Sequence, residues 1–541
     1  GISLLPILIN TILNNQSEVY YFNIIKVDIS SNNFLGIFFI IIIFFFLFKS
    51  IISFYINRNI FKFAYSLREN INLKIVKNYL NLDFEKFYKK KSSDLILNSV
   101  THVGLFTDGV FIPLSRAISE LIVVLGLFAL LSLENFTAML ILMMIIVIIF
   151  LAYFLIIRVK LFIYGKLMSK SEGAIIKNLN YIVDGFREIK LLNKSEFFIK
   201  NTLDNLSTYK VSGVNSRSIQ LLPRYLFELS IVIFVMGLIY FSKNLNFISP
   251  DNLLSLLGLF IIAAIRIIPS INTISLSLST IRGSAYAIDK LYDDLINDNF
   301  TPENKVILTP KFEFSKFEIK DLNFRYEISD TDILKEINLK FNKGEIVGLY
   351  GDSGSGKSTL VDLILGLLNP SAGSLKIFDA NGNNILKDTD SIRLWQNQVS
   401  YLPQHSFLID EDVYTNISLE DNIDKLDYKR IKYALRKSLL NDLFATQEEL
   451  SNKKIGERGE YLSGGQRQRL AFARSLYTDR KILVMDEITS SLDRKTETEI
   501  FDFIYSLKGE FTIIIISHNL DMLSRCDRLY ELKNKSIYKV K

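Results

Sequence analysis

The chain has a single cysteine, Cys526, so no intramolecular disulfide can form, and the residue reads as a structural thiol. It also has little net charge: +6 over 541 residues, with 22% charged, gives no pointer to nucleic acid as a partner. There is no internal repeat and no second phosphate-binding loop. Long apolar runs are almost missing from the second half of the chain, whereas they dominate the first. A chain of this length holds at least two domains, and the change in composition implies one of each kind.

The first half reads as membrane helices. Phe34 to Phe48 is a nearly unbroken Ile/Phe run, and Phe136 to Ile157 is 22 residues without a charge, enough to cross a hydrocarbon core of ~30 Å. Leu121 to Leu133, Tyr225 to Phe241 and Leu253 to Ile268 are further spans. Asn57 to Val100 carries nine Lys/Arg and Tyr164 to Leu221 carries nine, while the opposite connections hold only Lys26 and Lys243. The positive-inside rule puts both basic segments, and the second half, in the cytosol. With Phe34 starting outside, Gly1 to Leu13 reads as the outer end of a truncated span, giving six in the whole protein; a cleaved signal peptide is the rival, without a basic n-region to support it. Each basic segment looks helical and has a turn, near Asn81–Phe87 and near Asn180–Asp184. Phe84 and Phe87 serve either local packing or presentation of a short helix to a groove on the second domain.

The strongest single stretch is Gly351-Asp-Ser-Gly-Ser-Gly-Lys-Ser-Thr359, which fits G-x-x-x-x-G-K-[ST] at every fixed position. The apolar run Ile346 to Tyr350 before it reads as a buried strand, and Leu360 to Leu368 after it as a helix that stops at Pro370. Gly351, Gly354 and Gly356 let the backbone curl, so that N–H groups here and at Ser353 and Ser355 face a phosphate at the helix N-terminus. Lys357 reaches the β- and γ-phosphates, Ser358 sits on Mg²⁺, and Thr359 completes the pattern. Further on, the strand Ile482-Leu-Val-Met-Asp-Glu487 ends in two acids. Asp486 is placed to hold Mg²⁺, and Glu487 to polarise the attacking water as general base.

Leu462-Ser-Gly-Gly-Gln-Arg467 resembles the signature motif of ATP-binding cassette proteins, and the rest of that family's set follows in order. Phe324-Arg-Tyr326 resembles the aromatic loop, which implies that Tyr326 stacks on adenine. Tyr401-Leu-Pro-Gln404 resembles the loop whose glutamine contacts Mg²⁺, here Gln404. Gly456-Glu-Arg-Gly459 resembles the segment that exporters place before the signature. Ser490-Ser-Leu-Asp493 resembles the dimer-contact loop, with Asp493 as its acid, and His518 matches the switch histidine at the γ-phosphate. His102 and His405 match no motif and read as ordinary. The resemblance implies that Ser463, Gly464, Gly465 and Gln466 of one copy close over the nucleotide of the other, so the chain is a half-transporter that acts as a homodimer. The fold implied is an α-helical membrane domain over 1–285, a linker over 286–312 and an α/β phosphate-loop ATPase domain over 313–541, using ATP and Mg²⁺.

The spans-then-ATPase order resembles an exporter or flippase. A cation at the bilayer centre costs about 2.5–3.5 kcal/mol on insertion scales. Lys49 interrupts the first full span, Arg224 follows Pro223, and Arg266 sits inside Ala263-Ala-Ile-Arg-Ile-Ile-Pro269. Arg116 and Glu120 lie one helical turn apart, and Glu228 one turn after Arg224, so some of these charges have a pairing partner on their own helix. Cations facing a central cavity suit an anion such as a diphosphate. Asp83-Phe-Glu-Lys-Phe87, Leu222-Pro-Arg-Tyr-Leu-Phe-Glu228 and Arg266-Ile-Ile-Pro-Ser-Ile-Asn272 resemble bacterial lipid-linked oligosaccharide flippases, whose cavities are basic. Lys49, Arg224 and Arg266 fall on such positions, whereas Thr273 stands where a further arginine is expected. Gln16 to Ile29 is placed to act as that subgroup's external helix at the outer surface. This resemblance implies ATP-driven flipping of a polyprenyl-diphosphate-linked oligosaccharide in the bacterial cytoplasmic membrane. The alternatives are export of another amphipathic cargo (peptide, lipid or drug) and an ATP-gated channel or regulator.

Overall fold

The computed structural model describes residues 32–245, 250–297, 312–327, 329, 331–386, 389–420, 422–441, 454–478, 480–487 and 493–541. The truncated span expected over Gly1 to Leu13, the external helix over Gln16 to Ile29 and Ser490 to Leu492 lie outside the described residues. The chain divides into two compact units, the second of which takes in Asp83–Glu85 together with the chain from Asn304 onward.

The first unit is helical: α1 (Asn32–Leu80), α2 (Phe84–Lys89, whose first two residues belong to the second unit), α3 (Ser92–Glu134), α4 (Phe136–Asp184), α5 (Phe186–Leu191), α6 (Ser195–Leu245) and α7 (Pro250–Tyr292). Among the described residues five helices are long and apolar enough to cross a membrane, and they coincide with the five full spans read from the sequence. Both α1 and α4 run for 49 residues, about 74 Å at 1.5 Å per residue, well beyond the thickness of a bilayer. They break at Asn81–Asp83 and at Gly185, next to the expected turns. Helix α7 continues through Tyr292, into the segment 286–312 expected as a linker.

Local chemistry explains the joints. The Asn135 side chain caps α4 by accepting from the Ala138 N–H at 2.9 Å, which satisfies one of the orphan donors of the first turn. At Gly165 a Cβ atom would lie 1.9 Å from the Gly283 carbonyl, so α4 and α7 touch backbone to backbone and no larger residue fits. The Tyr153 hydroxyl bridges three helices, donating to Ile219 O at 3.2 Å and lying 3.0 Å from Ser279 Oγ. The apolar centre is built from Phe128, Phe227, Phe234, Phe260 and Ile267, with the Phe234 and Phe260 rings 5.2 Å apart.

The second unit holds two sheets. Strands β1 (Phe314–Phe324), β2 (Leu334–Asn342) and β4 (Ala372–Asp379) form an antiparallel sheet in the order β2-β1-β4. The larger sheet has the order β5-β6-β7-β3-β8-β9: β3 (Ile346–Gly351), β5 (Val399–Leu402), β6 (Ile482–Asp486), β7 (Thr512–Ile516), β8 (Arg528–Lys533) and β9 (Ser536–Lys539). All its pairings are parallel except β8 with β9. Helices α8 (Lys357–Ile364), α9 (Thr389–Gln396), α10 (Val413–Ser418), α11 (Tyr428–Lys437), α12 (Gly464–Tyr477), α13 (Arg494–Ser506) and α14 (Leu520–Leu523) surround the strands. Strand alternation decides which face each residue fills: Val347, Leu349, Val484, Ile514 and Ile516 on one side, Ile346, Leu483, Met485, Ile513 and Ile515 on the other. Both faces are covered, as a parallel sheet requires, and this is why its strands read as unbroken apolar runs. Phe84 packs at the edge of the first of these clusters. Trp395, buried in the same cluster, donates from Nε1 to Ile364 O at 2.6 Å.

Candidate nucleotide site

Parallel pairing brings the C-terminal ends of β5, β6, β7 and β3 to one edge of the sheet, the edge where open α/β sheets bind ligands. Residues far apart in sequence therefore meet there: Gln404 after β5, Asp486 and Glu487 at the end of β6, His518 after β7, and the loop Gly351–Gly356 after β3.

The loop is held open by its backbone. Gly356 has φ +104°, and a Cβ there would meet Leu334 Cδ2 at 2.9 Å. Lys357 opens α8 and turns its Nζ back onto the loop, donating to Gly351 O at 2.8 Å and Asp352 O at 2.9 Å. The Ser355 hydroxyl is buried without a partner, an orphan polar atom in a loop built to surround phosphate oxygens. Thr359 is buried one turn along, and its Oγ1 lies 3.3 Å from the Tyr326 hydroxyl. Tyr326 packs edge-on against Phe324 with centroids 5.0 Å apart, which fixes the ring that the resemblance assigns to adenine.

At the far side of the loop, Glu487 is held from both ends. Gln404 Nε2 donates to Glu487 Oε2 at 2.6 Å, and His518 Nε2 lies 2.6 Å from Oε1. The Glu487 backbone has φ +49°, in the left-handed region, and its N–H donates to Ile516 O at 3.0 Å. A glutamate in that conformation is strained and is kept there by its neighbours. Burial, then the Glu487 charge, pushes the Asp486 carboxyl above the usual carboxylate range, and Lys357 pulls it back. A divalent cation would reverse that balance. Mg²⁺ is ordinarily bound by one or two carboxylates plus hydroxyl and phosphate oxygens rather than by a protein cage. Asp486, Ser358 and Gln404 with the loop fit that pattern, and no cluster of three or more His, Cys, Asp or Glu residues occurs among the described residues.

The signature residues stand at the start of α12. Ser463 Oγ accepts from the Gln466 N–H at 3.2 Å and Gln466 Oε1 accepts from the Ser463 N–H at 2.8 Å, a reciprocal capping box. Gly464 and Gly465 fill the first turn between them. Asp493 caps α13 by accepting from the Thr496 N–H at 3.1 Å.

Three further residues bear on the site and carry no motif. Arg474, on α12, donates from Nε to Asn416 O at 2.7 Å and from Nη1 to Phe407 O at 2.8 Å, and burial lowers its pKa. Asn416, fully buried, donates from Nδ2 to Ile409 O, Glu411 O and Asp412 O and accepts from the Ile409 N–H at 3.1 Å. Together they tie the loop that follows Gln404 to the helix that follows the signature. Asp362, on α8, is pushed up to about 6, first by burial and then by Asp486. The one local signal was Asp412, an N-cap three residues before the Thr415 N–H it accepts from.

In the helical unit, Lys49 and Arg266 line one cleft of about 720 Å³ between α1, α3 and α7, along with Arg116, Glu120 and Thr273. Arg224 is not among its lining residues; its Nε donates to Glu228 at 2.9 Å, one turn on. Glu120 does not pair with Arg116. Its Oε2 accepts from Ser270 Oγ at 2.6 Å and lies 3.8 Å from Arg266 Nη2. His102 is a satisfied buried residue, 2.8 Å from Asn98 Oδ1 and 3.0 Å from Ser169 Oγ.

Residues 334–490 match the family model described as ABC transporter. The chain is 31% identical over 294 residues to ABC transporter B family member 29, chloroplastic, of Arabidopsis thaliana, covering 51% of this chain and 46% of that protein. It is 34% identical over 219 residues to the leukotoxin translocation ATP-binding protein LktB of Mannheimia haemolytica, covering 40% and 30%. The chain thus spans less than half the length of these curated relatives. It superposes on the structure of a bacterial Atm1-family ABC exporter with ATP bound at a TM-score of 0.77 and 19% identity, over 91% of this chain and 84% of that one. The fold is that of a helical domain of the membrane type followed by an α/β cassette of the class that uses ATP with Mg²⁺.

Proposed function

We propose that this chain is an ATP-driven exporter that works as a homodimer, and that its cargo is a polyprenyl-diphosphate-linked oligosaccharide moved from the inner to the outer leaflet of a bacterial cytoplasmic membrane. Its hydrolytic chemistry rests on Glu487, held between Gln404 and His518 at the end of β6, where it polarises water for attack on the γ-phosphate. The loop Gly351–Gly356 and Lys357 bind the phosphates, Ser358 and Asp486 hold Mg²⁺, and Ser463 and Gly465 of the second copy close the site. Closure driven by ATP reorients the helical domain, and hydrolysis resets it.

The observation that carries the cargo reading is the cleft: Lys49, Arg116 and Arg266 are brought together by three different helices in a membrane-type domain. Charges at such a position are costly and mark a pathway for charged cargo. A second reading, export of a different amphipathic cargo, is supported by the likeness of the chain to the leukotoxin translocation protein. ATP hydrolysis in lipid nanodiscs with and without polyprenyl-diphosphate glycan separates the two. The flippase reading expects stimulation in wild type and its loss in Arg266→Ala, with retained ATP binding showing that the variant is folded. A wild-type rate indifferent to the glycan would favour the second reading.

A further inference from the structure

The ionisable residues that line the cleft are Lys49, Arg116, Glu120 and Arg266, three cations against one carboxylate. Their partners differ. Lys49 Nζ lies 5.7 Å from the centroid of the Phe46 ring and Arg116 lies 5.8 Å from that of Phe61; neither has a carboxylate partner among the described residues. Cation–π contacts of this kind shelter a charge without neutralising it. Arg266 is different, because Glu120 stands beside it, and Glu120 is itself anchored by the 2.6 Å hydrogen bond from Ser270, one turn along α7. A carboxylate that needs only Arg266 would be free to swing with α3; one held by Ser270 is fixed where an anion bound to Arg266 would sit.

We propose that Glu120 is a resident counter-ion that sets the charge and affinity of the cargo head group. This inference rests on the anionic-cargo reading above. With Glu120 in place the cleft carries an excess of two positive charges, and they lie on the two cations without acid partners, Lys49 and Arg116. A diphosphate esterified at both ends carries two negative charges and matches that excess. Glu120 weakens the hold of Arg266 on any such anion by competing for the same guanidinium, which keeps binding loose enough for release. Glu120 also explains how apolar helices tolerate Arg266, which unpaired would be a third uncompensated charge in the cleft.

The test uses full-length protein in nanodiscs and reads ATP hydrolysis against the concentration of a polyprenyl diphosphate glycan, with uncharged polyprenol as the control lipid. Glu120→Gln keeps the shape and the Ser270 contact but removes the charge. The half-stimulating concentration is expected to fall about threefold, with the maximal rate unchanged, the scale of a partly exposed ion pair. Ser270→Ala, which loosens Glu120 without removing it, moves the same way by less, and it serves as the test should Glu120→Gln fail to fold. A half-stimulating concentration that is unchanged or higher in both variants, with wild type still stimulated, overturns the counter-ion role and leaves the cargo reading standing. If neither wild type nor Glu120→Gln responds to the diphosphate, the cargo reading falls and this inference with it.

Discussion

Removing the Arg474 guanidinium perturbs the cassette in a way whose size follows from the structure. Arg474 holds two carbonyls, Asn416 O in a partly buried setting and Phe407 O near the surface. A hydrogen bond to a charged donor contributes roughly 1.5–3 kcal/mol, and the exposed one contributes less because water replaces it. Arg474→Met therefore costs about 2 kcal/mol locally, or roughly thirtyfold in the opening equilibrium of the loop 407–416. Hydrogen exchange reads this directly, since the Ile409 and Asn416 amides are both bonded inside that loop. Their exchange should speed up by roughly thirtyfold in Arg474→Met, while β7 amides such as Ile514 and Ile515 stay protected. Arg474→Lys, which reaches one carbonyl at a time, should fall between. Loop exchange within about threefold of wild type would refute the reasoning.

Two further perturbations follow. Asp362 has a folded pKa of about 6 against an ordinary 3.8, so the folded state holds a proton that the unfolded chain gives up between those values. Stability therefore drops as pH rises from about 4 to about 6 and stays lowered above it. Asp362→Asn should raise the melting temperature of the nucleotide-free protein at pH 7.5, with the gain fading towards pH 4; a gain that persists at pH 4 contradicts this. Mixing Lys357→Ala and Ser463→Arg chains tests the shared site: each variant alone should be inactive, whereas mixed dimers hold one intact site and should recover a fraction of wild-type hydrolysis. No recovery in proven mixed dimers would oppose closure by the second copy.

The parts of this molecule that were legible in its sequence are those whose partners are near in the chain. The loop Gly351–Thr359 is one contiguous stretch whose conformation is written in its glycines, and the five apolar spans need only their own length and composition. Arg474 was invisible because its carbonyl partners lie 58 and 67 residues away, and a backbone carbonyl has no sequence identity to match. The charges in the helical unit show both outcomes. Arg224 and Glu228 do pair one turn apart on one helix. Glu120 turns instead to Ser270, 150 residues away, because helix packing brings that hydroxyl within 2.6 Å while Arg116 lies against Phe61. Helical spacing offers a partner; tertiary packing selects among those offered.

The central claim is that ATP is hydrolysed at the edge where Glu487 meets Gln404 and His518, and the most direct test is the hydrolysis rate of wild type and Glu487→Gln, in nanodiscs with Mg²⁺ and saturating ATP. Removing a positioned general base should lower the rate by roughly 10²–10⁴-fold while ATP binding is retained. Equal rates in the two proteins would contradict the account.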